Sequence, residues 1–324
     1  MKTNLTLPAG VILLCIVLSS WGFYGHKKIN RLAVFTLPPS MVGFYKKNIN
    51  YLTESSVNPD RRRYAVVDEA ARHYIDLDHY GDSALYTMPR TWVKAVDVYT
   101  EDTLKAYGIV PWHVYRMYLR LRDAFMIQDP ARILRVSSEI GHYIGDAHVP
   151  LHTTKNYNGQ LTGQDGIHGF WESRLVELFS EDYDFTVGRA VYLKDPQAAI
   201  WEAVVASHLL KDSVLLEEKR LSERFGDRKW SFETRGRQTV KVYSRAYSKA
   251  YHKILRGMVE RRMKSAVHMT GSFWYTAWVD AGQPDLSFLI DYQPDESEIL
   301  ARQRELEAWK KRLYQVRPHD ADAD

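Results

Sequence analysis

The chain has one cysteine in 324 residues, Cys15, and it lies in the first 20. Once an N-terminal leader is removed, no cysteine remains. That excludes disulfides, thiolate metal ligands and thiol nucleophiles together. There is no glycine-rich phosphate loop and no GxSxG elbow, so neither a P-loop nor a serine-hydrolase turn is available. No internal repeat is present. Charge is scarce at the start: Lys2 is the only charged residue among the first 25. The apolar run at residues 11–18 is too short to cross a membrane. Followed by Ser19 and Ser20, it reads as a signal peptide spanning residues 1–20, with cleavage ahead of Trp21. A lipoprotein site at Cys15 is disfavoured by Leu14, where a small residue is expected. The expected address is secreted or periplasmic. The formal charge of +4 is modest and does not mark a nucleic-acid binder.

Aromatics are abundant, with 21 Tyr and 9 Trp. Helical patterns dominate. Helices are expected at 26–36, 41–52, from Pro89 and Thr91 to Ala106, and at 112–128, with a turn at 57–60 and an Asp68 cap. Asp129-Pro130 is a strong start, an acid N-cap followed by proline at the first helical position. The helix it opens carries Ile133, Val136, Ile140 and Ile144 as one apolar stripe. Residues 156–166 read as a loop and 168–179 as a helix. Further helices are expected at 196–217, 240–267 and 295–313, and a short strand at 185–193. Residues 319–324 read as a disordered tail. The class is all-α. The expected organisation is a leader at 1–20, a main domain at 21–290, and a charged C-terminal helix and tail at 291–324.

The chemistry concentrates between His142 and Glu172. His142 and Asp146 are four apart, as are His168 and Glu172, and His148 and His152 lie between them. Residues four apart share one face of a helix. With 12 His and 40 acidic residues, roughly one or two such pairs arise by chance. The chain has three, and His208 with Asp212 is read as a surface pair. The local density of histidine, and Pro150 turning His152 away, favour metal binding over coincidence. Imidazole and carboxylate suit a borderline cation such as zinc. His148 reads as a supporting residue that donates to a carboxylate or carbonyl.

These motifs resemble the trinuclear zinc superfamily that contains bacterial zinc-dependent phospholipase C and the fungal and plant single-strand-specific nucleases. The matching elements are Trp21 after the leader, His26, Asp60 and His73, then HxxxDxHxPLH at 142–152 and HxxxE at 168–172. The resemblance implies a single compact multi-helix domain with its metal site between central helices, and three Zn2+ ions. It implies that Asp60, His73, His142 and Asp146 hold one ion and that His152, His168 and Glu172 hold a second. The third would be held by the amino nitrogen and carbonyl oxygen of Trp21 with His26 and Asp146, so that Asp146 bridges. Asp60 would also orient or deprotonate the attacking water; as a ligand it has Asp68, Asp76 and Asp78 as nearby competitors. His26 has a plain alternative as a surface helix residue.

The implied activity is hydrolysis of phosphate esters. Glu172 in place of an aspartate, and the short gap from His152 to His168, favour the phospholipase branch and phospholipid head groups. The alternatives are a sugar-nonspecific nuclease of the same fold and a non-catalytic metal-binding protein. Arg61 is a candidate for a substrate phosphate, although its charge disfavours choline there. The basic segment at 219–237 suits anionic membrane or nucleic acid equally. The expected partners are phospholipid or nucleic acid, with peripheral membrane contact and no obligate protein partner.

Overall fold

The computed structural model describes residues 22–235 and 238–317. Trp21, the expected leader at 1–20 and the expected tail at 319–324 lie outside the described residues. Helices dominate, as expected from the patterning: α1 Gly22–Ala33, α2 Pro39–Lys47, α3 Ile49–Ser55, α4 Asn58–Arg62, α5 Ala84–Thr87, α6 Trp92–Tyr99, α7 Glu101–Tyr107 and α8 Val110–Met126. Then come α9 Pro130–Ala147, α10 Ile167–Gly169, a π-helical turn Phe170–Arg174, α11 Leu175–Phe179, α12 Pro196–His208 and α13 Lys211–Phe225. The antiparallel hairpin β1 Trp230–Arg235 and β2 Gln238–Tyr243 precedes α14 Arg245–Ile254, α15 Met258–Asp280 and α16 Glu296–Trp309. The fold is all-α apart from this hairpin. Among the described residues no helix is long and apolar enough to cross a membrane.

The centre is α9. Asp129 accepts from Arg132 N at 3.0 Å and Pro130 sits in the first turn, so the start is fixed locally. Every residue from Val136 to Ala147 is buried. A helix apolar only on one stripe would not be, and neighbours close on it from all sides. α1, α3, α8 and α15 pack around it. Phe273 and Trp274 of α15 and Trp201 of α12 complete the main core with Tyr45 and Phe125. Each fully buried side chain of this kind contributes about 1.5–3 kcal/mol. A second core, around Phe170, Tyr247 and Tyr251, lies under the π turn and the hairpin.

Several expected elements differ. The 185–193 segment is not a strand: its backbone bonds to Thr36 O at 2.9 Å and to the Ser272 and Thr276 hydroxyls at 3.1 and 2.9 Å. It is an extended run along α15. The strands lie instead at 230–243, where Val240, Val242 and Tyr243 had been read as the start of a helix. Gly257, at φ 75°, then separates α14 from α15. The 41–52 helix is broken at Asn48, whose amide donates to Phe44 O at 2.9 Å. The helix expected through Ala106 is interrupted at Thr100, with φ 66°, and the 196–217 helix breaks at Leu209 and Leu210. The expected turn at 57–60 is the start of α4. Asp68 caps nothing; it has φ 59° and pairs with Lys105.

Candidate metal centre

Besides α4, which contributes Asp60, five stretches of chain converge on one buried point. α9 presents His142 and Asp146, both fully buried, from the same face. The 70–76 stretch is pinned to the α7–α8 junction by Ile109 N to Ala71 O at 2.7 Å, Val110 N to Tyr74 O at 3.1 Å and Asp76 N to Tyr107 O at 2.7 Å. Gly108 permits this approach: with φ 92°, a Cβ there would stand 2.2 Å from Tyr74 O. The 150–153 turn is held by Ile75 N donating to His152 O at 2.9 Å, and His152 Nδ1 donates to His73 O at 2.6 Å. In the neutral ring that bond fixes the tautomer and leaves Nε2 as the lone-pair nitrogen a cation would take.

α1 brings His26. It can do so because α9 carries Gly141 and Gly145, four apart and facing α1. A Cβ at 141 would stand 1.7 Å from Asn30 Oδ1, and one at 145 would stand 2.9 Å from His26 Nδ1. Asn30 then locks the crossing by donating to Ser138 O at 2.8 Å. The His26 ring stacks on His142 at 3.9 Å. The end of α9 is held by Arg262, which donates to His148 O at 2.9 Å, and by Ser207, which donates to Ala147 O at 2.7 Å.

The fifth stretch carries His168 and Glu172 into the π turn. Such turns are rare and concentrate at functional sites. The hairpin braces it: Arg174 pairs with Glu233 at 2.9 Å and donates to Tyr243 O at 3.3 Å, while Phe170 stacks on Tyr243 at 3.9 Å. Part of the basic segment thus acts as a prop for the site.

The side chains form three groups whose potential ligand atoms lie within 4.8 Å of one another: Asp60, His73 and His142; His26, His142 and Asp146; and His152, His168 and Glu172. Ligand nitrogens and oxygens at about 2.0–2.1 Å around a tetrahedral zinc stand about 3.3 Å apart. In the first group and its Asp146 neighbour the separations are 3.0 Å (His73–Asp146), 3.1 Å (His73–His142), 3.3 Å (His142–Asp146), 3.5 Å (His142–Asp60) and 3.6 Å (His73–Asp60). They bracket the expected edge. Around Glu172 they are 2.8, 2.9 and 3.2 Å. The residues present therefore fit a divalent cation in position and in donor type.

Asp146 joins two groups. Its Oδ2 faces His73 and His142, and its Oδ1 stands 3.4 Å from His26 Nε2. Glu172 does the same, which its sequence position did not reveal: Oε2 faces His168 and His152, while Oε1 is 3.3 Å from His26 Nε2. The electrostatics show how much negative charge is crowded here. Burial, with the charges of Glu172 and Asp60, pushes the Asp146 carboxyl well above the usual range. Burial also acts to raise Glu172, but the His152 charge and bonds from His152, His168 and His26 outweigh it and hold Glu172 well below. Burial and the nearby His26 push His142 down to about 4, so its ring is neutral at physiological pH, the form that binds metal.

Of the acids competing with Asp60, Asp68 pairs with Lys105, Asp76 with Arg317, and Asp78 with Thr154 and the Lys155 amide. Asp60 alone of the four joins the cluster. His148 is buried, its Nδ1 donating to Ile144 O at 2.7 Å and its Nε2 3.1 Å from the Ser265 hydroxyl. Burial and Arg262 push it down to about 3. Arg61 is exposed, bonded to Asn58 at 3.0 Å with its guanidinium over the Phe23 ring. Trp21, the remaining expected ligand, lies outside the described residues.

A buried ionic network behind His73 was not legible in the sequence. Glu69 Oε1 stands 3.8 Å from His73 Nε2. Arg62 binds Glu69 at 2.9 Å, Glu139 at 2.7 and 3.0 Å and the Tyr143 hydroxyl at 2.9 Å, and Tyr143 donates to Glu69. A run of three arginines ordinarily faces solvent, yet Arg62 is 6% exposed.

No family model and no curated protein matches the chain. Among solved structures it is similar to the alpha-toxin of Clostridium perfringens isolated from avian strain SWCP, at 12% identity and a TM-score of 0.46. That similarity covers 84% of this chain and 66% of the toxin chain.

Proposed function

We propose that the chain is a zinc-dependent phosphodiesterase acting on phospholipid head groups. The observation that carries the reading is the pair of shared carboxylates, Asp146 and Glu172, linking three buried nitrogen–oxygen groups without a thiolate. Asp60, His73, His142 and Asp146 would hold one ion, His152, His168 and Glu172 a second, and His26 with Asp146 a third, completed by the Trp21 amino terminus. When bound, such ions neutralise phosphate charge and acidify water. The chain's own groups supply the rest. Asp60 takes the proton of the attacking water. Glu69 faces the far nitrogen of His73 at 3.8 Å and sets a negative charge behind that ring. Arg61, at the exposed edge, meets a phosphate oxygen. Export, with cleavage ahead of Trp21, belongs to the same proposal, because only a free amino group can ligate.

The test uses protein that begins at Trp21, offered phosphatidylcholine, phosphatidylethanolamine and single-stranded DNA, each with and without a chelator. Chelator-sensitive release of diacylglycerol with DNA intact supports the reading. Cleaved DNA with intact lipid replaces it with a nuclease. Metal content with no turnover on any of the three replaces it with a non-catalytic metal protein.

A further inference from the structure

The C-terminal end of the described chain crosses the surface beside the metal centre. Leu313 N and Tyr314 N both donate to Tyr64 O, at 2.9 and 3.0 Å. Arg312 lies over the Tyr64 ring at 4.7 Å. Arg63 donates through Nε and Nη2 to the Arg317 carbonyl at 3.4 and 3.2 Å. The Arg317 guanidinium then enters a socket. It lies 4.1 Å from the Tyr74 ring and 3.6 Å from the Tyr157 ring, pairs with Asp76 at 2.7 Å and donates to Thr154 O at 3.3 Å.

Two aromatic rings, a carboxylate and a carbonyl make a cage for an organic cation. The cage is assembled from the ligand-bearing segments themselves. Tyr74 follows His73, Thr154 stands two residues after His152, and the Tyr157 ring is 6.2 Å from the His168 ring. Beyond these bonds the strap buries little. α16 buries no residue, and Leu313 and Tyr314 are 64% and 43% exposed. A segment with so little buried apolar surface opens at low cost.

We propose that the Tyr74–Tyr157–Asp76 cage is a cation subsite of the metal centre, filled in this conformation by the chain's own Arg317. The C-terminal strap and a phosphate ester with a cationic head group, such as a quaternary or primary ammonium, compete for it. Opening the strap exposes the subsite, and the head-group cation takes the place of the guanidinium while its phosphate faces the clustered ligands. The inference rests on the phosphodiesterase reading for its substrate, but not for its binding chemistry.

Arg317→Ala, and Arg317→Gln as a milder variant should the first fail to fold, are compared with the parent. Tetramethylammonium is titrated into each by calorimetry, and hydrolysis of p-nitrophenyl phosphocholine is measured beside that of bis(p-nitrophenyl) phosphate. Two ring faces at ordinary cation–π strength correspond to about a tenfold change in affinity. The variants are expected to bind tetramethylammonium about tenfold more tightly than the parent, and a second substitution, Tyr157→Ala, abolishes the gain. KM for the phosphocholine ester falls by a similar factor, while KM for bis(p-nitrophenyl) phosphate, an anionic diester with no cationic group, stays unchanged. Equal tetramethylammonium affinity in parent and variants overturns the proposal and makes Arg317 a structural pin. Tighter tetramethylammonium binding without hydrolysis of either ester leaves the cage standing and removes the phosphodiesterase reading. Hydrolysis with no change in cation affinity does the reverse.

Discussion

Gly145→Ala isolates the placement of His26 from the stability of the fold. A Cβ at 145 would stand 2.9 Å from His26 Nδ1 and 3.2 Å from its Cε1. Restoring ordinary contact moves the ring by about half an ångström. The ring has little room to yield, since it stacks on His142 at 3.9 Å and faces Asp146 and Glu172 at 3.4 and 3.3 Å. The helix itself gains about 1 kcal/mol from replacing glycine with alanine. Overpacking costs about 1–3 kcal/mol. The net loss is about 0–2 kcal/mol, small enough for the protein to stay folded while its metal content is read. The third metal group suffers directly, because ligand positions tolerate only about 0.5 Å of error. Its affinity is expected to fall about 10–100-fold, the range seen when a ligand loses its support. Gly141→Ala is the contrast. Its Cβ would stand 1.7 Å from Asn30 Oδ1, inside a bonded side chain, so stability falls before metal content does. The assay is zinc content by elemental analysis at limiting free zinc, beside urea unfolding with chelator present. A Gly145→Ala protein with the parent's full zinc content and affinity would refute the argument.

Removing Arg62 leaves Glu69 and Glu139 buried without their shared cation. Arg62→Ala is expected to cost about 3–5 kcal/mol in urea unfolding, and a loss under 1 kcal/mol would mean the network is dispensable. The same network sets an acid limb. Burial acts to raise Glu139, but the Arg62 charge and hydrogen bonds, with Arg135, outweigh it and hold the carboxyl below 4.5. A depressed carboxylate contributes stability that is complete above its unfolded value and is lost as pH falls through its folded value. The parent's urea midpoint is therefore expected to drop below about pH 4.5 more steeply than that of Glu139→Gln; parallel curves would count against the pairing. Residues added ahead of Trp21 are expected to lower zinc content by one ion per chain, and unchanged content would rule out the amino-terminal ligand.

The sequence is legible where the signal is local. Asp129-Pro130 marks the start of α9, and the four-residue spacings place His142 with Asp146 and His168 with Glu172. It is mute where the cause is non-local. The hairpin at 230–243 pairs β-branched and aromatic residues inside a basic stretch, and only the pairing of its two strands distinguishes it from a helix. The double facing of Glu172 depends on the π turn, which no spacing rule predicts. Gly141 and Gly145 carried a readable signal: two glycines four apart inside a strong helix cost about 1 kcal/mol each unless another backbone needs the space. Arg62 shows the limit of composition, because a run of three arginines looks solvated until Glu69 and Glu139 arrive from elsewhere in the chain.

Zinc content of the parent beginning at Trp21, set beside Asp146→Ala, tests the central claim most directly. Both are stripped by chelator, reloaded with excess zinc and desalted before elemental analysis. The shared position of Asp146 predicts three ions per chain in the parent and one in the variant. A parent that retains no zinc, or a variant that loses a single ion, would contradict it.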